Sequence, residues 1–202
     1  SQLMPQFTQI SRYLAAYPAR PLKRKELRPA AVLLPLFQRQ GQPWILFTRR
    51  PAHLKNHGGE ISFPGGGVET SDRSRWQTAL RETDEEIGVT AEDVGYLGQL
   101  DDIVSIYGYL VTPFVGQIAD NYPYRPDPGE IDEIIELPLH GLRDPDVYHQ
   151  ENWQHKGRSM PVDFYQINGQ TIWGMTAAIL KQMLERIDPL FADTSHCRPV
   201  AL

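Results

Sequence analysis

The sequence predicts an α/β protein in which helices pack against a mixed β-sheet. Short apolar runs alternate along the chain with stretches whose apolar residues have helical spacing. The length of 202 residues is enough for one sizeable core but not for two domains of ordinary size. The composition, with 41% hydrophobic and 22% charged residues, is typical of a globular chain. We therefore expect a single domain.

The predicted elements follow one another along the whole chain. Apolar spacing predicts a first helix over residues 7–17 and a clear amphipathic helix over 75–87. A last helix is expected over 175–187, because the proline that follows cannot continue it. Three prolines between residues 121 and 129 predict a loop. Apolar runs predict strands at 30–37, 44–48, 96–100, 109–118, 131–137, 147–154 and 163–167.

We divide the chain into an N-terminal helix and basic segment (1–29), a main domain (30–188) and a C-terminal tail (189–202). No apolar run approaches the roughly 20 residues that a membrane helix needs. The N-terminus also lacks the pattern of a secretion or import signal. We therefore expect a cytoplasmic protein with no membrane partner, and we allow for a homodimer.

Charge is distributed unevenly, although the formal net charge is only −5. Residues 20–28 carry five bases and one acid, and residues 47–57 carry three bases, two histidines and no acid. Residues 81–93 carry six acids and one base. Because the chain is acidic overall and aromatics do not interleave the basic runs, we expect a small-molecule anion site and no nucleic-acid partner. For residues 20–28 a solvated linker is the alternative.

The helix over 75–87 divides into two faces when residues are placed about 100° apart. Glu82, Glu85 and Glu86 converge at i, i+3 and i+4, whereas Asp84 points away from them. The arc expected to be buried consists of Trp76, Ala79, Leu80, Thr83 and Ile87. Like charges at this spacing repel by a few tenths of a kcal/mol per pair.

Magnesium or manganese would offset this repulsion, because hard divalent cations bind carboxylate oxygens and leave room for substrate phosphates. The alternative is a solvated acidic face that Arg81 partly neutralises. Upstream, the segment Phe63-Pro64-Gly65-Gly66-Gly67 ends a short strand. We expect a flexible turn there, which places backbone carbonyls and amides beside the three glutamates.

This combination resembles the signature of the Nudix hydrolases. Residues 81–89, Arg-Glu-Thr-Asp-Glu-Glu-Ile-Gly-Val, fit its second half, with Thr83 where an apolar residue is usual. With one extra loop residue, Gly66 and Asp72 correspond to the glycine and the first glutamate of its first half. A strict count gives Gly67 and Arg73 instead, and we prefer the alignment that includes Asp72.

A second motif resembles the coenzyme A pyrophosphatase subfamily. Residues 46–51, Leu-Phe-Thr-Arg-Arg-Pro, are followed by Lys55, Gly59 and the Phe-Pro-Gly-Gly of 63–66 at the spacings of that subfamily. The departures are Phe47 for leucine, Pro51 for a small residue and Lys55 for arginine, which exchanges a forked donor for a point charge. The resemblance covers most of residues 30–187.

The resemblance implies an α/β/α sandwich and the hydrolysis of a nucleoside diphosphate derivative. For coenzyme A the products would be 3′,5′-ADP and 4′-phosphopantetheine, and the runner-up substrates are ADP-ribose, NADH or another nucleoside diphosphate. Mg²⁺ or Mn²⁺ would be bound by Glu82, Glu85, Glu86 and the backbone of Gly66. The other implied site residues are Arg81 in the catalytic centre and Arg50, Lys55, Gly65 and Gly66 for the substrate.

Several roles have alternatives. Arg50 could pair with an acid on the sheet surface, and Lys55 could be a solvated loop residue. The general base is Glu85, Glu86 or an external carboxylate, and Glu130, after the proline-rich loop, is the external candidate. A non-catalytic nucleotide-binding module of the same fold, or a nucleic-acid-binding protein using residues 20–28, would be the other classes of function.

Overall fold

Two β-sheets and five helices make up the structure, a computed structural model that describes residues 5–192. The helices are α1 (Pro5–Ala15), α2 (Arg75–Ile87), α3 (Leu139–Leu142), α4 (Met175–Arg186) and α5 (Pro189–Ala192). The strands are β1 (Arg28–Arg39), β2 (Gln42–Arg49), β3 (Ile61–Ser62), β4 (Gly65–Gly67), β5 (Gly95–Gln99), β6 (Ile103–Val104), β7 (Tyr109–Gln117), β8 (Glu133–Pro138), β9 (Tyr148–His155), β10 (Arg158–Ile167) and β11 (Gln170–Trp173). None of the helices within this range is long and apolar enough to cross a membrane.

The larger sheet has eight strands and is mixed. Its main path is β3-β2-β1-β7-β5, with β4 beside β1, β6 beside β7 and β8 beside β2. Strand β1 pairs in parallel with β7 and antiparallel with β2. The β1–β2 hairpin closes through Gln40 and Gly41, which both have positive φ, as a two-residue type I′ turn requires. The smaller sheet is antiparallel, in the order β11-β10-β9.

Side chains alternate across the central strand β1 and separate two apolar layers. Ala31 and Leu33 pack towards α2, in one cluster with Ala79. Leu34 and Leu36 belong to the cluster on the other face, which contains residues of α1 and α4. The sheet therefore lies between helices on both faces, and the α/β/α sandwich is confirmed.

Helix α1 contributes to this main core rather than lying apart from it. Phe7, Ile10 and Leu14 are buried in the cluster that also holds residues of β5 and α4. A side chain at Gly98 on β5 would come within 2.8 Å of Leu14, so the glycine permits close helix–strand packing. The division into segments 1–29, 30–188 and 189–202 stays a prediction, and residues 193–202 lie outside the described chain.

Helix α2 begins and ends where the sequence predicts, because both ends are capped. The Ser74 hydroxyl accepts a hydrogen bond of 3.1 Å from the Gln77 amide. Gly88 takes the left-handed conformation at φ 73°, and its amide donates to the Asp84 carbonyl. The buried face differs in part from the prediction. Trp76 and Leu80 are only half-buried, whereas Thr78 and Glu86 are buried.

The flexible turn predicted for Gly65–Gly67 is wrong. These residues form β4, which pairs antiparallel with Ala30–Val32 of β1. Their backbone groups thus enter the ladder of the main sheet, which holds the glycines in place below α2. Local sequence could not indicate this pairing because the partner strand lies more than 30 residues earlier.

Candidate active site

Acidic side chains from the last two turns of α2 meet the glycines of β4. Glu82 and Glu86 are largely buried, with Glu86 only 8% exposed. The Glu85 side chain is 55% exposed. Asp84 is exposed and contributes nothing to this cluster, as the helical spacing predicts.

Arg81 connects this helix to the preceding loop. Its Nε donates to Oδ1 of Asp72 and its Nη2 to Oδ2, both at 3.0 Å. Nη2 also donates to the Gly67 carbonyl at 3.0 Å. Nη1 donates to Glu82 at 3.0 Å and to Glu85 at 3.2 Å. Arg81 therefore orders both the loop and two of the three glutamates.

Asp72, rather than Arg73, is the loop residue that reaches the helix. Its side chain is 3% exposed and also accepts from the Thr78 hydroxyl at 2.7 Å and the Glu69 amide at 2.9 Å. The hydrogen bonds from Arg81 hold the pKa of Asp72 well below its ordinary value, against the opposing effect of burial. Arg73 is exposed. This geometry favours the alignment that includes Asp72.

Glu86 is the buried acid of the site. Burial, followed by the charges of Glu82 and Glu130, raises the pKa of Glu86 to about 8. The Gly65 amide, which donates to its Oε2 at 3.4 Å, and the charge of Arg50 oppose this rise in pKa. Burial is also the main cause that raises the pKa of Glu82. Burial and the neighbouring carboxylates therefore disfavour the charged form of Glu86 when no cation is bound.

Gly66 gives the backbone of β4 close access to Glu82. A Cβ atom at residue 66 would lie 2.5 Å from Cδ of Glu82 and 2.7 Å from its Oε1. No L-side chain fits there unless the carboxylate moves. At Gly65 a Cβ would collide with the backbone of β1. The two glycines thus bring main-chain groups and carboxylates together.

The proline-rich loop brings Glu130 towards α2. The Arg125 amide donates to the Ile87 carbonyl at 2.8 Å, and the Asp127 amide donates to the Glu86 carbonyl at 2.9 Å. These bonds satisfy carbonyls that the helix end leaves free. The Glu130 amide in turn donates to the Asp127 carbonyl, which ties Glu130 to the capping loop. The sequence did not lead us to predict this capping. The signal for it was Gly88, which ends the helix ahead of the three prolines in the loop.

The two candidate substrate-binding cations differ in their surroundings. Arg50 is half-buried, and its Nε is buried without a hydrogen-bond partner among residues 5–192. The neighbouring Arg49, not Arg50, pairs with an acid of the sheet, Glu133, at 3.1 Å. Lys55 is exposed on the loop between β2 and β3. The structure thus places Arg50 near the carboxylates and leaves Lys55 in solvent.

The chemistry of the donors fits a hard divalent cation. Glu82 and Glu86 are largely buried carboxylates, with Glu130 adding charge and the backbone of Gly66 adjacent. Within residues 5–192, no three His, Cys, Asp or Glu side chains are already arranged around one metal position. Arg81 contacts Oε1 of Glu82 and both carboxylate oxygens of Glu85, so Glu85 would have to turn from Arg81 to bind a cation.

An α/β/α sandwich with carboxylates on a helix that follows a glycine strand fits the class of Nudix hydrolases, and sequence comparison shows the family directly. The sequence model of the NUDIX domain matches residues 26–157. The chain belongs to the Nudix family and is a Nudix pyrophosphohydrolase. Enzymes of this family generally use divalent metal ions such as Mg²⁺ or Mn²⁺.

Two relatives are each named an uncharacterized Nudix hydrolase NudL. The one from Photorhabdus laumondii is 39% identical over 160 residues, 79% of this chain and 85% of that protein. The one from Salmonella dublin is 36% identical over 178 residues, 88% of this chain and 92% of that protein. A MutT/nudix family protein from Enterococcus faecalis has a similar fold, with a TM-score of 0.54 at 14% identity over 93% of this chain and 76% of that one.

Proposed function

We propose that the chain hydrolyses the diphosphate of coenzyme A or its derivatives to 3′,5′-ADP and 4′-phosphopantetheine. The observation that carries the proposal is Arg50, whose buried Nε has no hydrogen-bond partner in the described part of the chain while its charge acts on Glu86. An unpaired buried guanidinium nitrogen is costly unless an anion binds it. Among nucleoside diphosphate substrates we favour coenzyme A, because the motif at residues 46–66 resembles that of the coenzyme A pyrophosphatases.

Glu82, Glu85, Glu86 and the Gly66 backbone would hold Mg²⁺ or Mn²⁺. When bound, the cation neutralises the diphosphate, lowers the pKa of a water molecule and stabilises the leaving phosphate. Arg81 positions Glu82 through the hydrogen bond to Oε1 described above. Arg50 binds phosphate oxygens, with Lys55 as a weaker, solvent-exposed contributor.

Glu130 is the proposed general base. It accepts the proton of the attacking water on its carboxylate, and Glu85 or Glu86 is the alternative. Burial raises the pKa of Glu86 to about 8 in the metal-free protein, whereas a bound cation would favour its ionised, metal-binding form. Glu130 is exposed and lies on the loop that caps α2, which supports its assignment.

A substrate panel tests the proposal. The enzyme is supplied with Mg²⁺ or Mn²⁺ and offered coenzyme A, dephospho-coenzyme A, ADP-ribose and NADH, with the products identified by mass. Coenzyme A should have the highest kcat/KM. A higher kcat/KM for ADP-ribose or NADH would instead support the runner-up substrates, and no turnover of any would support a non-catalytic nucleotide-binding module. A cytoplasmic location, a homodimer and the absence of nucleic-acid and membrane partners stay predictions.

A further inference from the structure

A cavity lies at the N-terminal end of α2, away from the glutamates. Its volume is about 470 Å³, which is within the range of small-molecule sites. The cavity is lined by residues of the first turn of α2, of β5 and β7, and of the segment before β1. It contains none of the residues proposed above for hydrolysis. Since the helix rises about 1.5 Å per residue, its first turn is on the order of 10 Å from the glutamates.

One wall of this cavity is aromatic. The Trp76 ring lies 5.0 Å from that of Tyr96 and 5.5 Å from that of Phe114, both edge to face. Phe114 is buried, but Tyr96 is 51% exposed and Trp76 is half-buried. Aromatic surface thus remains open inside the cavity, where a planar ring can stack or pack edge-on.

The opposite end of the cavity is polar and fixed in position. The Thr112 hydroxyl donates to Asp102 at 2.6 Å and accepts from Nη1 of Arg75 at 2.7 Å. Asp102, with its side chain 3% exposed, also accepts from the Leu22 amide at 2.9 Å. Nη1 of Arg75 also lies 3.7 Å from Oδ2 of Asp102, so Arg75 is the ion-pair partner of this buried carboxylate. Nε and Nη2 of Arg75 donate to no group within residues 5–192 and remain available to an anion.

Part of the basic segment 20–28 lies at the edge of the cavity. Two hydrogen bonds hold Arg20 in place, since its amide donates to the Asp101 carboxylate at 2.8 Å and its carbonyl accepts from the Asp102 amide at 3.1 Å. Pro21 and Leu22 line the cavity itself. The five basic side chains of this segment are exposed, and its single acid is paired with one of them. The resulting positive potential attracts anions.

We propose that this cavity binds a small planar aromatic molecule that carries an anionic group, of the nucleoside monophosphate type. The ring packs against Trp76 and Tyr96, while Arg75 and the basic segment bind the anionic group. This site is separate from the hydrolase centre. It gives the basic segment 20–28 a role in binding, whereas the proposed hydrolysis gives it none.

Nuclear magnetic resonance can separate this site from the hydrolase centre. The ¹⁵N-labelled full chain is titrated with AMP in excess chelator, and the indole signals of its four tryptophans are followed. The Trp76→Phe variant assigns one of them. We expect a saturable shift of the Trp76 signal while Trp44, Trp153 and Trp173 stay unmoved. Adenosine and inorganic phosphate should each bind at least tenfold more weakly than AMP.

Matched variants complete the test. Tyr96→Ala and Arg75→Gln should each weaken AMP binding at least tenfold. Tyr17→Ala removes another exposed tyrosine and Arg73→Gln a neighbouring arginine, and both should leave AMP binding unchanged. The proposal is overturned if AMP leaves the Trp76 signal in place, if the controls weaken binding equally, or if Glu86→Gln abolishes the shift. Because chelator is present, none of these results depends on turnover.

Discussion

Arg81 and Asp72 are joined by two parallel hydrogen bonds of 3.0 Å, although the helix start and the loop lie between them. The carboxylate is almost fully buried, so this pair fixes the loop against α2. Arg81 also donates to Glu82 and Glu85. Its bonds to Asp72 therefore fix the orientation in which the guanidinium meets these two glutamates.

Replacing Asp72 should therefore destabilise the fold. Asp72→Asn is expected to lower the free energy of unfolding by about 1–3 kcal/mol at pH 7, since the charge-assisted bonds to Arg81 are lost. Because the folded-state pKa of Asp72 is depressed, its contribution is present above pH about 4 and declines as the pH falls below that. Urea unfolding at several pH values measures this. Asp84→Asn, an exposed acid of the same helix, is the control, and equal losses would refute the assignment.

Glu86 should have the opposite dependence of stability on pH. The pKa of Glu86 is raised to about 8 in the folded protein, so folding favours the protonated acid. The free energy of unfolding should therefore fall as the pH rises from about 4 to about 8. In the absence of metal, Glu86→Gln should gain stability relative to the wild type over this pH window. Thermal unfolding in chelator, at pH 5 and pH 8, makes the comparison. A difference that does not change with pH would contradict the burial described for Glu86.

The close approach of Gly66 to Glu82 predicts that Gly66→Ala impairs activity. The added Cβ would displace the Glu82 carboxylate, which lies 2.5 Å from its position. We expect at least a tenfold loss of kcat with little change in secondary structure by circular dichroism. Gly67→Ala is the matched control, because a Cβ there meets nothing within 4 Å. Equal activity in the two variants would show that Gly66 is not needed for the position of Glu82.

Arg50 tests the choice of substrate. Coenzyme A carries a 3′-phosphate that dephospho-coenzyme A lacks, and a charge-assisted bond to it contributes about 1.5–3 kcal/mol. Arg50→Ala should raise KM for coenzyme A by tenfold or more and raise KM for dephospho-coenzyme A less. Lys55→Ala, which removes a solvent-exposed cation, should have the smaller effect. Equal losses on both substrates would mean that Arg50 binds the diphosphate or supports the fold.

The elements predicted from sequence were those whose signals are local. Helix α2 has the predicted ends because Ser74 and Gly88 cap it, and each cap lies beside the residues it terminates. Strand β4 was missed because its glycines have no side-chain pattern and pair with a distant strand. The convergence of the glutamates follows from helical periodicity, but the burial of Glu86 depends on β4 and on the loop that carries Glu130. Those contacts form only in the folded chain.

The steady-state hydrolysis of coenzyme A by the wild type, Glu85→Gln and Glu86→Gln tests the central claim most directly. With Mg²⁺ or Mn²⁺ the wild type should release 3′,5′-ADP and 4′-phosphopantetheine, faster towards alkaline pH and not at all in excess chelator. Both variants should lose most turnover while keeping the wild-type circular dichroism spectrum, and Asp84→Asn, from the exposed side of the same helix, should keep its activity. Unchanged rates in both glutamine variants, or full activity in chelator, would contradict the assignment of α2 as the metal-binding helix.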